Sequence, residues 1–158
     1  MRTFHIRSFC KVNLSLRVIK KLHNGLHKIQ SLVTFVNLFD IISIREIDSK
    51  RDQIKFFGRF KYNINPKTNT ISKTLDILRK NNYLRKKKFG INIKKNIPNG
   101  AGLGGGSMNS ATLIRFFLST YKLEISEKKL FKIACKIGSD VFLGLKIQNT
   151  FLMGNKKF

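Results

Sequence analysis

From Phe4 to Cys10, and again from Val12 to Val18, apolar residues recur at roughly every second position, the alternation of strands buried on one face. Asn24-Gly25 then marks a sharp break. The next segment, Leu26 to Phe39, is apolar without a clean period and stays open between strand and helix. Ile41, Ile42, Ile44 and Ile47 form a third β-rich stretch behind Asp40. From Asn69 to Asn82 the period lengthens, and Ile71, Leu75 and Leu78 share one helical face with Asn69 or Thr70 as N-cap. A basic loop leads to Phe89, Ile91 and Ile93, which alternate with Gly90, Asn92 and Lys94 in a strand running into Pro98-Asn99-Gly100.

Beyond the glycines, Ile114, Phe117, Leu118 and Tyr121 fall at i, i+3, i+4 and i+7, so the spacing predicts an amphipathic helix from about Ser107 to Lys122. Leu130, Ile133, Ala134 and Ile137 repeat that spacing over about residues 125 to 137, with Ser126 as N-cap and Gly138 as the stop. A short β-like piece, Asn149 to Met153, comes last. No internal repeat or linker divides the chain. Early strands followed by grouped helices predict a two-layer α+β domain covering residues 1–158.

Composition changes this picture at one point, the charge. Hydrophobic residues make up 42% of the 158, enough for a globular core, but 32 Lys and Arg oppose 8 Asp and Glu for a net charge of +24. Such an excess attracts phosphates and raises a nucleic-acid-binding alternative. No Arg-rich segment with interleaved aromatics accompanies it. Lys, Asn, Ile and Phe are abundant while Trp is absent and Pro numbers 2, a drift toward AT-rich codons that accounts for the Lys along with the Asn and Ile. No specific nucleic-acid partner is therefore expected. Cys10 and Cys135 form no CxxC pattern, and no apolar run approaches the ~18 residues of a membrane span. Reduced thiols and the absence of a leader predict a cytoplasmic protein without membrane association. His23 and His27 at i, i+4 could pair on a metal, but Gly25 disfavours a helix there and no third ligand is evident, so no protein-held metal is expected.

The chemistry concentrates in Gly100-Ala-Gly102-Leu-Gly104-Gly105-Gly106, between a strand and a helix opening at Ser107. Glycines let backbone N–H groups approach a ligand, and the helix N-terminus directs its positive end at the same point. This is a phosphate-binding arrangement. Walker A is excluded because no Lys follows the glycines. Gly100-x-Gly102-x-x-Gly105 formally matches a dinucleotide fingerprint, but one helix is followed by another where a Rossmann unit needs a second strand.

The stretch Pro98-Asn-Gly-Ala-Gly-Leu-Gly-Gly-Gly-Ser107-Met-Asn-Ser-Ala-Thr112 resembles the ATP-binding loop of the GHMP kinase superfamily. Together with Cys10-Lys11-Val12-Asn13-Leu14, Asn24-Gly25-Leu26-His27, Leu38-Phe39-Asp40-Ile41 and Gly138-Ser139-Asp140-Val141, it is similar to the family of 4-diphosphocytidyl-2-C-methyl-D-erythritol kinases. The resemblance implies the superfamily's two-layer N-terminal domain and transfer of the ATP γ-phosphoryl group, with Mg²⁺, to a cytidine-diphosphate-linked methylerythritol in isoprenoid biosynthesis. It implies Asp140 as general base and Lys11 as its partner, stabilising charge on the phosphoryl oxygens. By the same resemblance Pro98, Asn99, Gly100, Ala101, Gly102, Leu103, Gly104, Gly105, Gly106, Ser107 and Met108 hold ATP. Asn13 would bind the polyol and His27 the cytosine, and Asn69 and Lys95 lie where the family contacts adenine.

Four departures accompany the match. Leu26 stands where the family has Tyr, Met108 where it has a second Ser, and Phe142 follows Val141 where Pro is usual. The family chain also continues for more than a hundred residues into a second domain that this sequence lacks. The expectation is a kinase impaired by that loss, or completed by a separate C-terminal half or a homodimer. The alternatives are the basic nucleic-acid module and an inactive gene fragment.

Overall fold

Two long antiparallel strands frame the molecule, which is a computed structural model describing residues 2–21, 27–65 and 68–156. Strand β1 is Phe4–Lys21 and β2 is His27–Ile47, each longer than the pieces predicted from alternation. Phe4–Cys10 and Val12–Val18 are one strand, and the ambiguous segment fuses with the Ile41–Ile47 stretch into the other. The expected break at Asn24-Gly25, like His23 and Leu26, lies outside the described residues. Irregularities absorb the length. One register shift falls between Asn13 and Ser15, where Leu14 bulges: Asn13 faces Val33, but Leu16 then faces Ser31.

Strand β3 (Gln53–Phe57), which the pattern did not reveal, runs parallel to β4 (Lys88–Lys94). β4 pairs antiparallel with the inner end of β2, while β5 (Thr150–Lys156) pairs with its outer end, giving the order β1-β2-β4-β3 with β5 beside β2.

Helix α1 (Thr70–Lys80) starts at Asn69, whose side chain accepts from the N–H groups of Ile71 and Ser72 while the Ser72 hydroxyl accepts from Asn69 N–H. Helix α2 runs Gly105–Thr120, so it begins two residues before the predicted Ser107 and draws two glycines into its first turn. Helix α3 is Glu127–Ile137; Ser126 occupies the N-cap without a side-chain capping bond, and Gly138 ends it in extended rather than left-handed backbone. A 3-10 turn, Val141–Leu145, follows and was not expected.

The helices lie on one side of the sheet, making the two-layer α+β arrangement. Between the layers Ile42, Ile44, Phe89, Ile91 and Ile93 of the sheet meet Leu75, Leu78, Ile114 and Phe117 of the helices, all fully buried or nearly so. Phe89 and Phe117 pack edge to face with centroids 4.9 Å apart. No helix among the described residues is long and apolar enough to cross a membrane.

Candidate active site

The glycine segment crosses over β1 and is fastened to it by the Lys11 N–H, which donates to the Leu103 carbonyl at 3.1 Å. Gly104 then turns the chain into α2 with φ of 67°, a left-handed conformation, and a Cβ there would lie 2.9 Å from Cγ of Lys11. Glycine is required twice over at this point, for its backbone and for the room it leaves the lysine stem. The first bond inside α2 is Met108 N–H to the Gly104 carbonyl at 2.8 Å. The N–H groups of Gly105, Gly106 and Ser107 thus lie outside the helix's own ladder and form its positive end.

These groups border an open cleft of about 500 Å³ whose walls include Lys11, Asn13, Thr70 and Asp140 along with residues 98–107. Lys11 is 3% exposed, yet its ammonium reaches the cleft, lying 3.5 Å from Oδ2 of Asp140 and donating to Oδ1 of Asn13 at 2.5 Å. Asp140 stands at the N-terminal end of the 3-10 turn without a side-chain capping bond, and the turn rests on α2 so closely that a Cβ on Gly144 would come within 2.6 Å of the Ala111 Cβ. Two distant parts of the chain therefore deliver one ion pair to the mouth of the phosphate loop.

Beneath the loop lies a second, fully buried pair. Asp40 accepts from Lys95 Nζ, from the backbone N–H groups of Asn96 (2.7 Å) and Ile97 (2.9 Å), and from Nδ2 of Asn109 at 2.9 Å. A single carboxylate thereby joins the interior of β2, the approach to the glycines and helix α2. Lys95 and Asn69 border an adjoining pocket of about 380 Å³ that shares Thr70, Asn99 and Gly106 with the cleft.

Of the residues singled out in the sequence, Lys11, Asn13, Asp140 and every position from 98 to 107 meet at the cleft. Met108 does not: its side chain is buried against Val33 and Leu143, and its N–H belongs to the helix. His27 is also apart. It shares the sheet face of Asn13 but lies six residues beyond Val33, the partner of Asn13, about 20 Å along the strand. Sequence reading passed over Ser31, fully buried and accepting from Nδ2 of Asn13 at 2.6 Å, and did not foresee the burial of Asp40. Their signal was a polar residue at an inward strand position, Ser31 between Ile29 and Val33 and Asp40 in phase with Ile42 and Ile44.

An α+β layer pair with a glycine turn into a buried helix and a Lys–Asp pair at its mouth is an arrangement suited to holding phosphate groups. Residues 69–151 match the model of the GHMP kinases N terminal domain, and the chain belongs to that family. It is 46% identical over 161 residues to 4-diphosphocytidyl-2-C-methyl-D-erythritol kinase of Pelagibacter ubique (strain HTCC1062), covering 100% of this chain and 57% of that protein. The protein of the same name from Thermosipho melanesiensis is 43% identical over 138 residues, 86% of this chain and 46% of the relative. Among solved structures, a crystal structure of 4-(cytidine 5'-diphospho)-2C-methyl-D-erythritol kinase superposes with a TM-score of 0.77 at 25% identity, covering 98% of this chain and 55% of the other. Mevalonate kinase of methicillin-resistant Staphylococcus aureus MRSA252 shares the fold, with a TM-score of 0.56 at 16% identity over 87% of this chain and 45% of the other. The chain spans about half the length of the curated relatives it matches.

Proposed function

We propose that this chain forms the ATP-binding wall of a kinase that phosphorylates the 2-hydroxyl of 4-diphosphocytidyl-2-C-methyl-D-erythritol. The observation that carries the reading is the Lys11–Asp140 pair, 3.5 Å apart, at the opening of a glycine turn whose first-turn amides are unpaired within the helix. The names of the relatives supply the acceptor.

In this reading the amides of Gly105, Gly106 and Ser107 bind phosphate oxygens at the positive end of α2. The pocket beside Asn69 and Lys95 takes the nucleobase. Asp140 receives the proton of the attacking hydroxyl, and Lys11 stabilises the charge that grows on the transferred group. His27, on the same sheet face about 20 Å away, meets the cytidine end of the extended acceptor. The net charge of +24 draws both anionic substrates toward the cleft.

No cluster of three or more His, Cys, Asp or Glu side chains occurs among the described residues. Mg²⁺ would be carried mainly by the ATP phosphates, with the Ser107 hydroxyl and the Asp140 carboxylate among the cleft oxygens that could hold it. When bound it neutralises phosphate charge.

The test is ATP-dependent phosphorylation of this acceptor, with mevalonate as control. Asp140→Asn is expected to lower the rate by about 10²- to 10⁴-fold. An unchanged rate, or equal use of mevalonate, overturns the reading.

A further inference from the structure

We infer that Ser31 is a positioning residue: it fixes which way the Asn13 amide faces, and through that amide the direction in which Lys11 presents its charge. The inference rests on the kinase reading above and adds a residue to it.

Ser31 is fully buried, and its hydroxyl carries a single proton. That proton goes to the carbonyl of Ser15 at 2.7 Å. Toward Asn13, 2.6 Å away, the same oxygen can therefore only accept, so it must face the NH₂ end of the amide. This leaves Oδ1 turned to the Lys11 ammonium at 2.5 Å. Which end of an amide is which is often ambiguous, but here the proton count settles it. Inverting the amide would set oxygen against the Ser31 lone pairs and an NH₂ group against an ammonium.

The same count fixes what remains for chemistry. Lys11 directs one N–H at Asn13 and one toward Asp140, which leaves a third for a phosphoryl oxygen. Asn13 spends one Nδ2 hydrogen on Ser31 and keeps another, which no described residue claims, for the oxygen of the acceptor hydroxyl. A hydroxyl held by its lone pair in this way has its own proton free to point at Asp140. The bulge at Leu14 makes the relay possible by bringing Leu16 opposite Ser31, so that the Ser15 carbonyl comes within reach.

The experiment compares Ser31→Ala, Ser31→Thr, Asn13→Ala and the Ser31→Ala/Asn13→Ala double variant. Ser31→Ala is expected to lower kcat by up to about 100-fold while the KM for ATP stays within about twofold. Ser31→Thr, which keeps the hydroxyl, restores most of the rate. Adding Ser31→Ala to Asn13→Ala costs less than about twofold more, because the effect runs through the amide. Losses that multiply in the double variant, or an unchanged kcat in Ser31→Ala, overturn the inference. A second measurement does not depend on turnover: the side-chain amide proton resonances of Asn13 should shift in Ser31→Ala and return in Ser31→Thr. If they shift while the wild-type chain fails to phosphorylate the acceptor, the kinase reading falls and the amide relay stands; if they do not move, the relay falls.

Discussion

Strands β1 and β2 each pass through two environments. At their inner ends Ile42 and Ile44 are 0% and 1% exposed beneath the helices, whereas at the outer ends Leu16 and Val18 are 48% and 50% exposed and Phe151 on neighbouring β5 is 62% exposed. Both regions contain strands rich in apolar side chains, and in both the residues alternate. The difference is the layer above: α1 and α2 cover the inner half, whereas at the outer arm α2 reaches only its root, where Met108 packs on Val33. Alternation in a sequence thus reports that a strand has a face, and the covering element decides whether that face contributes. Full burial of an Ile or Leu is worth about 1.5–3 kcal/mol, so Leu16 and Val18 realise only a fraction of it, while Ile29 of β2, 2% exposed, is an exception within the arm.

The contrast can be broken most sharply at Asp40. Asp40→Ala should destabilise the fold by about 3–5 kcal/mol in urea denaturation, since it strands the buried Lys95 cation and frees two backbone N–H groups. Phe117→Ala, which empties the centre of the covered half, should cost about 3–5 kcal/mol by the same measurement. Gly104→Ala comes next: left-handed backbone and a methyl group 2.9 Å from the Lys11 stem should cost about 1–3 kcal/mol and lower kcat beyond what the lost stability explains.

A smaller effect is expected at Tyr121, whose hydroxyl donates to Glu46 at 3.1 Å. Burial, then the Glu46 charge and hydrogen bond, push its pKa up to about 12 from 10.0. The folded state keeps its proton where the unfolded chain has lost it, so this contribution is intact below pH 10 and disappears as the pH rises through about 12. Tyr121→Phe should flatten that part of a stability–pH curve measured by denaturant melts. Smallest of all, Phe151→Ser in the arm should change stability by less than about 0.5 kcal/mol. A loss near that of Phe117→Ala would show the two regions to be energetically alike.

Much of this was legible in the chain. Helical spacing located α1, α2 and α3 to within two residues, because their apolar faces turn toward a real core. The glycine run announced a phosphate loop because its chemistry is local. What stayed hidden depends on pairing across the chain. Strand β3 has only Ile54 and Phe56 turned inward across five residues, too little alternation to stand out beside the basic residues around it. The start of α2 lies two residues before the predicted one because Gly105 and Gly106 are poor helix formers; a Cβ at these positions would come within 3.1 Å of Ile97 and 3.3 Å of Thr70. The separation of His27 from Lys11 follows from strand length, which alternation could not supply once the bulges were unseen.

The bulge at Leu14 has one last implication. Before it, odd-numbered residues of β1, Lys11 and Asn13, face the cleft; after it the cleft-facing side chain is the even-numbered Leu16. Leu14 therefore acts as a parity switch. Deleting that one residue would turn the bulge into regular pairing, with Ser15 still opposite Leu32 and Leu16 still opposite Ser31, so the strand can lose a residue there without turning its faces over, whereas a deletion at a paired position has no such slack.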